Sequence, residues 1–286
     1  MDIVKQFLRT MQPFVERFPK IAMTYRHLRD NRFIFEDPKE TPLGFKFIGN
    51  KKMEQGIFEK EEIGIVSRCL KKADIFINIG ANIGYYCCIA LNLGKHTVAF
   101  EPIEANLSLL YKNIKANQWQ RNIEVFPLAL SNMTGLIEIY GGDTLASIHG
   151  GWAGIPLQYK RLVPVTTLDI ALNERFSVAK CFILADIEGA EYWMLQGAKR
   201  FLTMVPKPMW MVEVLVKEHQ PEGIGINPYL LPTFKTFWDY GYAAWTADKN
   251  VRQIEEEEVK EICKSGINTL TSQSFLFLEQ DMINQI

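Results

Sequence analysis

Short apolar runs alternate with helix-like patterns over most of the chain, and this alternation restricts its possible folds more than any other feature. The runs are rich in β-branched and aromatic residues and lie at 75–79, 97–101, 123–126, 181–186 and 209–214. Helical patterns follow three of these runs, at 83–94, 104–117 and 190–202. Fully apolar strands that alternate with helices indicate a mainly parallel sheet with both faces covered. We therefore predict an α/β fold.

Further runs complete the predicted sheet region. The segments 135–140 and 161–169 are predicted as strands on either side of a glycine-rich excursion at 141–154. The segment 274–278 is predicted as a closing edge strand, and the acidic run 255–258 as the start of a helix, where the helix dipole favours carboxylates.

The N-terminal 35 residues have a different pattern. Apolar residues recur at helical spacing, and seven basic residues stand against three acidic ones before position 33; the apolar set is Ile3, Phe7, Met11, Phe14 and Phe18. One or two helices of this kind either pack their apolar face on the main domain, make a peripheral membrane contact or cover the substrate cleft. Residues 36–50 contain proline, glycine and charge and predict a connector with a short hairpin. We expect an appendage and connector at 1–50 and the main domain at 51–286.

Composition excludes several classes of protein. The formal net charge is -1, which provides no general attraction to nucleic acid. The five cysteines form no C-x-x-C pair, so neither a disulfide framework nor a zinc site is expected. Charges interrupt the N-terminus, and no window of about 18 residues is uniformly apolar. We expect a cytoplasmic protein.

The chemistry is expected beyond the carboxyl ends of the strands, where open parallel sheets bind ligands. Gly80 and Gly84 follow the first strand and allow a sharp turn with close approach of a ligand. Glu101 ends the second strand, 21 positions after Gly80, where an acidic residue accepts both hydroxyls of a ribose. Together they predict a ligand that contains adenosine. A dinucleotide turn would need glycine in place of Asn82 and Tyr85, which disfavours NAD and favours S-adenosylmethionine.

These residues belong to a longer series of motifs that resembles the FkbM-type methyltransferases. The resemblance runs from about residue 56 to 278 and rests on INIGANIGYY (77–86), AFEP (99–102), Asn113 with Asn117, LALSNMTG (128–135), VTTLD (165–169), ADIEGAE (185–191) and VEV (212–214). It implies a class I, Rossmann-like methyltransferase fold with a seven-stranded, mainly parallel sheet. It also implies the cofactor S-adenosylmethionine and methylation of a hydroxyl on a sugar, polyketide or similar secondary metabolite.

The resemblance assigns roles position by position. The cofactor turn would comprise Gly80, Ala81, Asn82 and Gly84, with Tyr85 beside it. Glu101 would hold the ribose, Pro102 and Ile103 would flank the adenine, and Ala129 and Ser131 would lie near its edge. Asp186 with Glu188 would face the methyl-transfer centre. The chain departs from the family at two positions, with Asn78 where aspartate is usual and Leu184 where lysine is usual.

A hydroxyl loses its proton during methylation, so a base is expected near the acceptor. Asp186 is the first candidate and His219 the second, with Glu188 or Glu213 orienting the base. Glu213 lies in an apolar run and should need a partner. No metal site is predicted, because no spacing among these acids requires one. The glycine-rich excursion, with Trp152, is expected to shape the acceptor pocket.

Two other functions stay open on the sequence alone. A nicotinamide-dependent oxidoreductase shares the predicted fold but lacks the glycines of its turn. A degenerate member that binds the cofactor without catalysis is suggested by Asn78 and Leu184. A nucleic-acid partner is not expected, since outside the N-terminal segment no basic face is evident.

Overall fold

The computed structural model describes residues 36–142 and 145–286, without the side chain of Gln285. The predicted N-terminal helices therefore lie outside the described residues. Among the described residues, no helix is both long and apolar enough to cross a membrane.

A central sheet of eight strands organises the chain. The strands of the described chain are β1 Lys39–Glu40, β2 Lys46–Phe47, β3 Ile75–Ile79, β4 His96–Phe100, β5 Ile123–Phe126, β6 Ala129–Leu130, β7 Gly135–Tyr140, β8 Lys160–Thr166, β9 Cys181–Ala185, β10 Met209–Glu213, β11 Ala243–Thr246, β12 Gln253–Ile254 and β13 Ser274–Leu278. The central sheet has the order β12-β11-β13-β10-β9-β3-β4-β5. Strands β5, β4, β3, β9 and β10 pair in parallel, as the sequence predicts, while β13 is antiparallel to both of its neighbours.

Helices cover both faces of this sheet. They are α1 Lys51–Glu54, α2 Lys60–Lys72, α3 Tyr85–Asn92, α4 Glu104–Ala116, α5 Leu168–Leu172, α6 Glu191–Gln196, α7 Lys199–Thr203, α8 Leu230–Asp239 and α9 Glu256–Ser265, with 3-10 turns at Trp152–Gly154 and Gln280–Gln285. Alternate residues of the central strands enter two separate apolar clusters. Ile77 and Phe100 pack with α5 to α9 on one face, and Phe76 and Ala99 pack with α2 to α4 on the other.

The predicted closing edge strand is in fact internal. Strand β13 pairs with β10 on one side and with β11 on the other, so the sequence-based assignment to an edge was wrong. All five of its residues are buried, which fits its continuous apolar sequence, SFLFL. The sequence had indicated neither β11 nor the two-residue strand β12, which forms the real edge and makes the sheet one strand wider than expected.

The helix predicted over 190–202 is interrupted. It consists of α6 and α7, which are separated at Gly197 and Ala198. A Cβ atom at Gly197 would overlap with the backbone carbonyl oxygen of Ser131, so the chain passes very close to the loop after β6. The interruption therefore accompanies a close backbone approach, which only glycine permits here.

The segment before α1 is held in the main core. The predicted hairpin is present as β1 and β2, and Phe45, Phe47 and Ile48 are buried against α2 to α4. The Asn113 side chain accepts a hydrogen bond from the Ile48 backbone N–H at 2.8 Å and donates to its carbonyl oxygen at 3.1 Å. Asn117 makes the same pair of bonds with Lys46. These two asparagines fasten the hairpin to α4.

A second, smaller sheet lies beside the central one. Its order is β6-β8-β7, with β7 antiparallel and β6 parallel to β8. The two strands predicted around the glycine-rich excursion are thus confirmed. Ile139 and Val163 of this sheet are buried against Ile103, which comes after β4. The small sheet therefore closes one side of the space beyond the carboxyl end of β4.

Candidate active site

A cleft opens at the carboxyl ends of β3, β4 and β9. Its volume, including its open mouth, is about 630 Å³. Six of the predicted cofactor residues line it: Gly80, Asn82, Glu101, Pro102, Ala129 and Asp186. Ile103, which the resemblance placed beside the adenine, and Glu188 also line it. The strand ends thus bring most of the predicted site together.

The turn after β3 is built on Gly80. Its φ is +82°, and a Cβ atom there would overlap with the backbone carbonyl oxygen of Asp186. Two neighbouring N–H groups, of Gly80 and Ala81, donate to the Phe100 carbonyl oxygen at 2.9 Å each. Only glycine can occupy this position, because the ends of β3, β4 and β9 converge on it.

The carboxylate of Glu101 fixes the second side of the turn. It accepts hydrogen bonds from the backbone N–H groups of Asn82 at 2.7 Å and Ile103 at 2.8 Å, and from the Asn106 amide at 3.2 Å. Burial raises the pKa of Glu101 to about 7, although these hydrogen bonds lower it. A carboxylate has about four acceptor positions and three are used here, so Oε2 has one left for a ligand hydroxyl.

The same hydrogen bonds bear on the nicotinamide alternative. The Asn82 N–H is occupied by Glu101, and the Ile83 N–H donates to the Asn82 side chain at 2.8 Å. The Gly84 N–H donates to the Ala81 carbonyl oxygen at 2.8 Å. A pyrophosphate at this turn would require free N–H groups. Because these N–H groups already donate hydrogen bonds within the protein, binding of a dinucleotide is disfavoured.

An apolar wall faces Glu101 across the cleft. It combines residues after β5 with residues of the small sheet and its following loop: Leu128, Leu130, Ile139, Ala146 and Ile148. Ala146 and Ile148 belong to the glycine-rich excursion that was expected to shape the acceptor pocket, and the other three had no role predicted from the sequence. Such a wall suits a planar base. The relevant signal is tertiary, since only the packing of the small sheet against Ile103 brings these residues to the cleft.

The other predicted cofactor residues lie behind the cleft. Ala81 and Ser131 are buried, and the Ser131 N–H donates to the Thr166 carbonyl oxygen at 2.9 Å. Gly84 begins α3 with φ +85°. The Tyr85 ring contacts Phe47 and Phe58. These four shape the turn from behind, and their direct contact with a cofactor stays a prediction.

Asn78 and Leu184, the two departures from the family pattern, are neighbours. They are register partners on the parallel strands β3 and β9, and both are buried. The Asn78 amide donates to the Cys87 sulfur at 3.4 Å, and its Oδ1 has no partner in the described residues. Replacement of the usual aspartate and lysine at these positions therefore leaves two uncharged side chains where opposite charges would stand side by side.

Three carboxyl groups meet at the ends of β9 and β10. One oxygen from each of Asp186, Glu188 and Glu213 lies within 4.8 Å of the others. The Asp186 and Glu213 carboxyl groups interact directly, and each shifts the pKa of the other. Burial raises the pKa of both; for Glu213 the charge of Asp186 raises it further. The predicted partner of Glu213 is thus Asp186. Three such oxygens are ligands a divalent cation accepts, and the absence of a metal stays a prediction.

Glu188 connects this group to His219 and Trp152. Its Oε2 accepts a hydrogen bond from the Trp152 indole N–H at 2.7 Å and lies 3.3 Å from His219 Nδ1. Burial, followed by the charge of Asp186, raises the pKa of Glu188 to about 7. Trp152 is buried, so its ring shapes the floor of the site, and it is not free to stack on an acceptor.

A second cavity, of about 300 Å³ including its mouth, shares Asp186 with the cleft. It is lined by Glu59, Glu62, Tyr86, Leu184, Ala185, Met211, Glu213 and Ser274 as well. The Tyr86 hydroxyl donates to Glu59 at 2.6 Å, and burial raises the pKa of Glu59 to about 7. The sequence analysis missed Glu59, Glu62 and Tyr86, because their positions on α2 and α3 give no sign that they face β9 and β10.

Comparisons with known proteins agree with this architecture. The family model of the methyltransferase FkbM domain matches residues 78–242, more than half of the chain. The chain belongs to the FkbM methyltransferase family. It has the class I methyltransferase fold, in a family that generally depends on S-adenosylmethionine. No curated protein matches the sequence.

Solved structures similar to this chain include several methyltransferases. Methyltransferase FkbM from Methylobacillus flagellatus is 21% identical with a TM-score of 0.36, and the match covers 50% of this chain but only 33% of that one. The ribosomal protein L11 methylase of Lactobacillus delbrueckii is 9% identical (TM-score 0.41, 80% of this chain and 78% of that one). An S-adenosylmethionine-dependent O-methyltransferase of Thermotoga maritima is 8% identical (0.39, 80% and 72%).

Proposed function

We propose that this FkbM-family chain is an S-adenosylmethionine-dependent O-methyltransferase whose acceptor is a hydroxylated small molecule such as a sugar or polyketide. One observation carries the proposal: Glu101, suited to a ribose, and Asp186, at the centre of the acidic group, line the same cleft. A ligand bound by its adenosine at one end therefore reaches the carboxyl groups with its other end.

The residues of the cleft fit such a cofactor. Glu101 would accept a ribose hydroxyl, and the apolar wall opposite would contact the adenine. The backbone at Gly80 would lie beside the remainder, since no Cβ atom blocks that approach. Within the described chain, neither cavity is lined by lysine or arginine, so a cationic ligand centre would face carboxyl groups without competition.

The chemistry needs few protein groups. S-adenosylmethionine supplies an electrophilic methyl group on sulfur; on transfer the carbon–sulfur bond breaks with its electron pair on sulfur, and a carbon–oxygen bond forms. The protein holds the acceptor in line with this methyl group and removes water from around it. It must also accept the proton of the hydroxyl.

Calorimetry with S-adenosylmethionine, S-adenosylhomocysteine and NADH tests the cofactor. We expect binding of the first two and none of NADH. Methyl transfer is then measured with labelled cofactor on a panel of sugars, polyketides and their amino analogues, and the methylated atom is located by mass spectrometry. Methylation of nitrogen alone would contradict the O-methyltransferase proposal. Binding without transfer to any acceptor would support the non-catalytic alternative.

A further inference from the structure

We propose that His219 accepts the proton of the acceptor hydroxyl, and that Glu188 and Trp152 are positioning residues that fix the imidazole in the reactive tautomer. This inference rests on the proposed function, because it concerns the same reaction. It differs from the expectation from sequence, which placed Asp186 first among the candidate bases.

The hydrogen bonds set the tautomer. Glu188 Oε2 accepts from the Trp152 indole N–H at 2.7 Å and lies 3.3 Å from His219 Nδ1. Above about pH 7 the Glu188 carboxylate is ionised and only accepts hydrogen bonds, so Nδ1 carries the hydrogen. In the neutral ring, Nε2 is then the nitrogen with the free lone pair. No hydrogen bond from the described residues occupies Nε2.

The backbone is constrained on both sides of this pair. Glu188 has φ +53° and His219 has φ +61°, which non-glycine residues adopt at a cost. The segment around Trp152 holds both: the Ser147 hydroxyl donates to the Glu188 carbonyl oxygen at 2.5 Å, and the Ala153 N–H donates to the His219 carbonyl oxygen at 2.8 Å. Unfavourable backbone conformations held in this way are typical of functional sites.

Trp152 cannot easily move away from Glu188. Its side chain is buried, and a Cβ atom at Gly189 would lie only 2.7 Å from its ring. His149, beside it, is bound to the Gly189 carbonyl oxygen through Nε2 at 2.9 Å. Glycine at 189 therefore lets the indole lie against the turn that carries Glu188, and the indole N–H fixes the carboxylate.

Asp186 is less suited to the same task. One of its oxygens lies within 4.8 Å of an oxygen of Glu188 and of Glu213, and Glu59 and Glu62 line the second cavity, which Asp186 also lines. The His219 side chain is 39% exposed, so a proton on it can pass to solvent. The imidazolium would also stand beside the Glu188 carboxylate, which stabilises it.

The proton step conserves atoms and electrons. The O–H bond of the acceptor breaks, the proton binds to Nε2 of His219, and the bonding electron pair stays on oxygen. That pair forms the new bond to the methyl carbon. The carboxylate of Glu188 keeps its charge throughout and orients the ring, as the acid of a catalytic triad does.

Nitrogen-15 NMR of the histidine side chains tests the tautomer in the full chain, above the usual titration range of histidine. His219→Asn identifies the resonances. We expect protonated Nδ1 and unprotonated Nε2 in the wild type. Glu188→Ala should convert most of the population to the Nε2-protonated form, and Trp152→Phe part of it. Trp119→Phe is the matched control, since Trp119 follows α4 and contacts Phe45 beside the hairpin, and should change nothing.

An Nε2-protonated wild-type His219, or a tautomer that Glu188→Ala leaves unchanged, would overturn the inference. If a variant does not fold, the wild-type tautomer still decides. Failure of the wild type to bind S-adenosylmethionine would instead refute the proposed function, which the NMR result does not depend on.

Kinetics on an acceptor from the panel give the second test. His219→Asn should lower kcat by about 10²–10⁴ with little change in cofactor affinity. Trp152→Phe should lower kcat less. Near-normal turnover in His219→Asn, together with loss of turnover in Asp186→Asn, would return the role of base to Asp186.

Discussion

The two ends of the cleft are built in different ways. At the adenosine end, the carboxylate of Glu101 accepts three hydrogen bonds from Asn82, Ile103 and Asn106, all within the β3–α4 segment. At the acidic end, Asp186, Glu188 and Glu213 come from two strands and meet Glu59 and Glu62 of a distant helix and its flank. Nearby donors, most of them backbone N–H groups, therefore stabilise the buried carboxylate of Glu101. At the acidic end, by contrast, carboxyl groups face one another.

This difference indicates what each end requires from a ligand. Glu101 is already held, so a ligand gains affinity there through an additional hydrogen bond to a fixed acceptor. Burial raises the pKa of Glu59, Glu101 and Glu188 to about 7 each, and mutual repulsion adds to this at the acidic end. A cationic ligand centre would relieve that repulsion.

The largest expected effect is that of a substitution at the end of the cleft where we propose that adenosine binds. Glu101→Ala removes a charged acceptor from a ribose hydroxyl and from two backbone N–H groups, at about 1.5–3 kcal/mol for each bond to a charged group. The dissociation constant of S-adenosylmethionine should rise at least about 100-fold in calorimetry. Glu104→Ala, an exposed acid three residues later, should leave it unchanged. Equal affinities for the two variants would remove Glu101 from the site.

A substitution at Gly80 should mainly lower the stability of the protein. In Gly80→Ala, alanine must adopt φ +82°, and its Cβ atom clashes with the Asp186 backbone. The two effects together cost roughly 2–5 kcal/mol. Gly94→Ala has φ +72° but open space around the Cβ atom, so only the backbone cost of about 1 kcal/mol is expected. Urea unfolding measures both. A similar loss of stability in the two variants would mean that the close approach of the Asp186 backbone to Gly80 adds no measurable cost.

Asn78 and Leu184 test whether a charge pair can be restored between β3 and β9. Asn78→Asp alone places a buried carboxylate beside Cys87 and should destabilise the protein. Leu184→Lys in the same chain should recover part of the loss, with a coupling energy of about 1–3 kcal/mol in a double-mutant cycle. Additive effects on the free energy of unfolding would show that the two side chains do not interact despite their register.

The smallest expected effect is the pH dependence of cofactor affinity. The two ends of the cleft should contribute to it separately. Ionised Glu101 is the better acceptor for hydroxyls, and its raised pKa of about 7 leaves it largely protonated at lower pH. Affinity for S-adenosylmethionine should therefore increase about three- to tenfold as pH rises through 7, with release of protons on binding. Glu101→Gln should remove one part of this dependence and Glu213→Gln another. An affinity that falls over this range would contradict the assigned sign.

The sequence by itself determined the parallel core and the adenosine end. Strands β3, β4, β5, β9 and β10 are short, largely apolar runs, and the ends of parallel strands meet at one edge of the sheet, so Gly80, Glu101 and Asp186 could be placed together in advance. Each of these residues comes directly after its strand, which makes its position a local property of the chain.

Only the tertiary structure decided the rest. The insertion of β13 between β10 and β11 cannot be read from an apolar run, because an edge strand and an internal one can share that pattern. The second cavity depends on how α2 and α3 pack against the sheet, and the contact of Trp152 with Glu188 depends on a segment that returns over the turn after β9. Spacing along the chain specifies which residues come next after a strand, whereas contacts between distant segments are set by the packing of side chains in three dimensions.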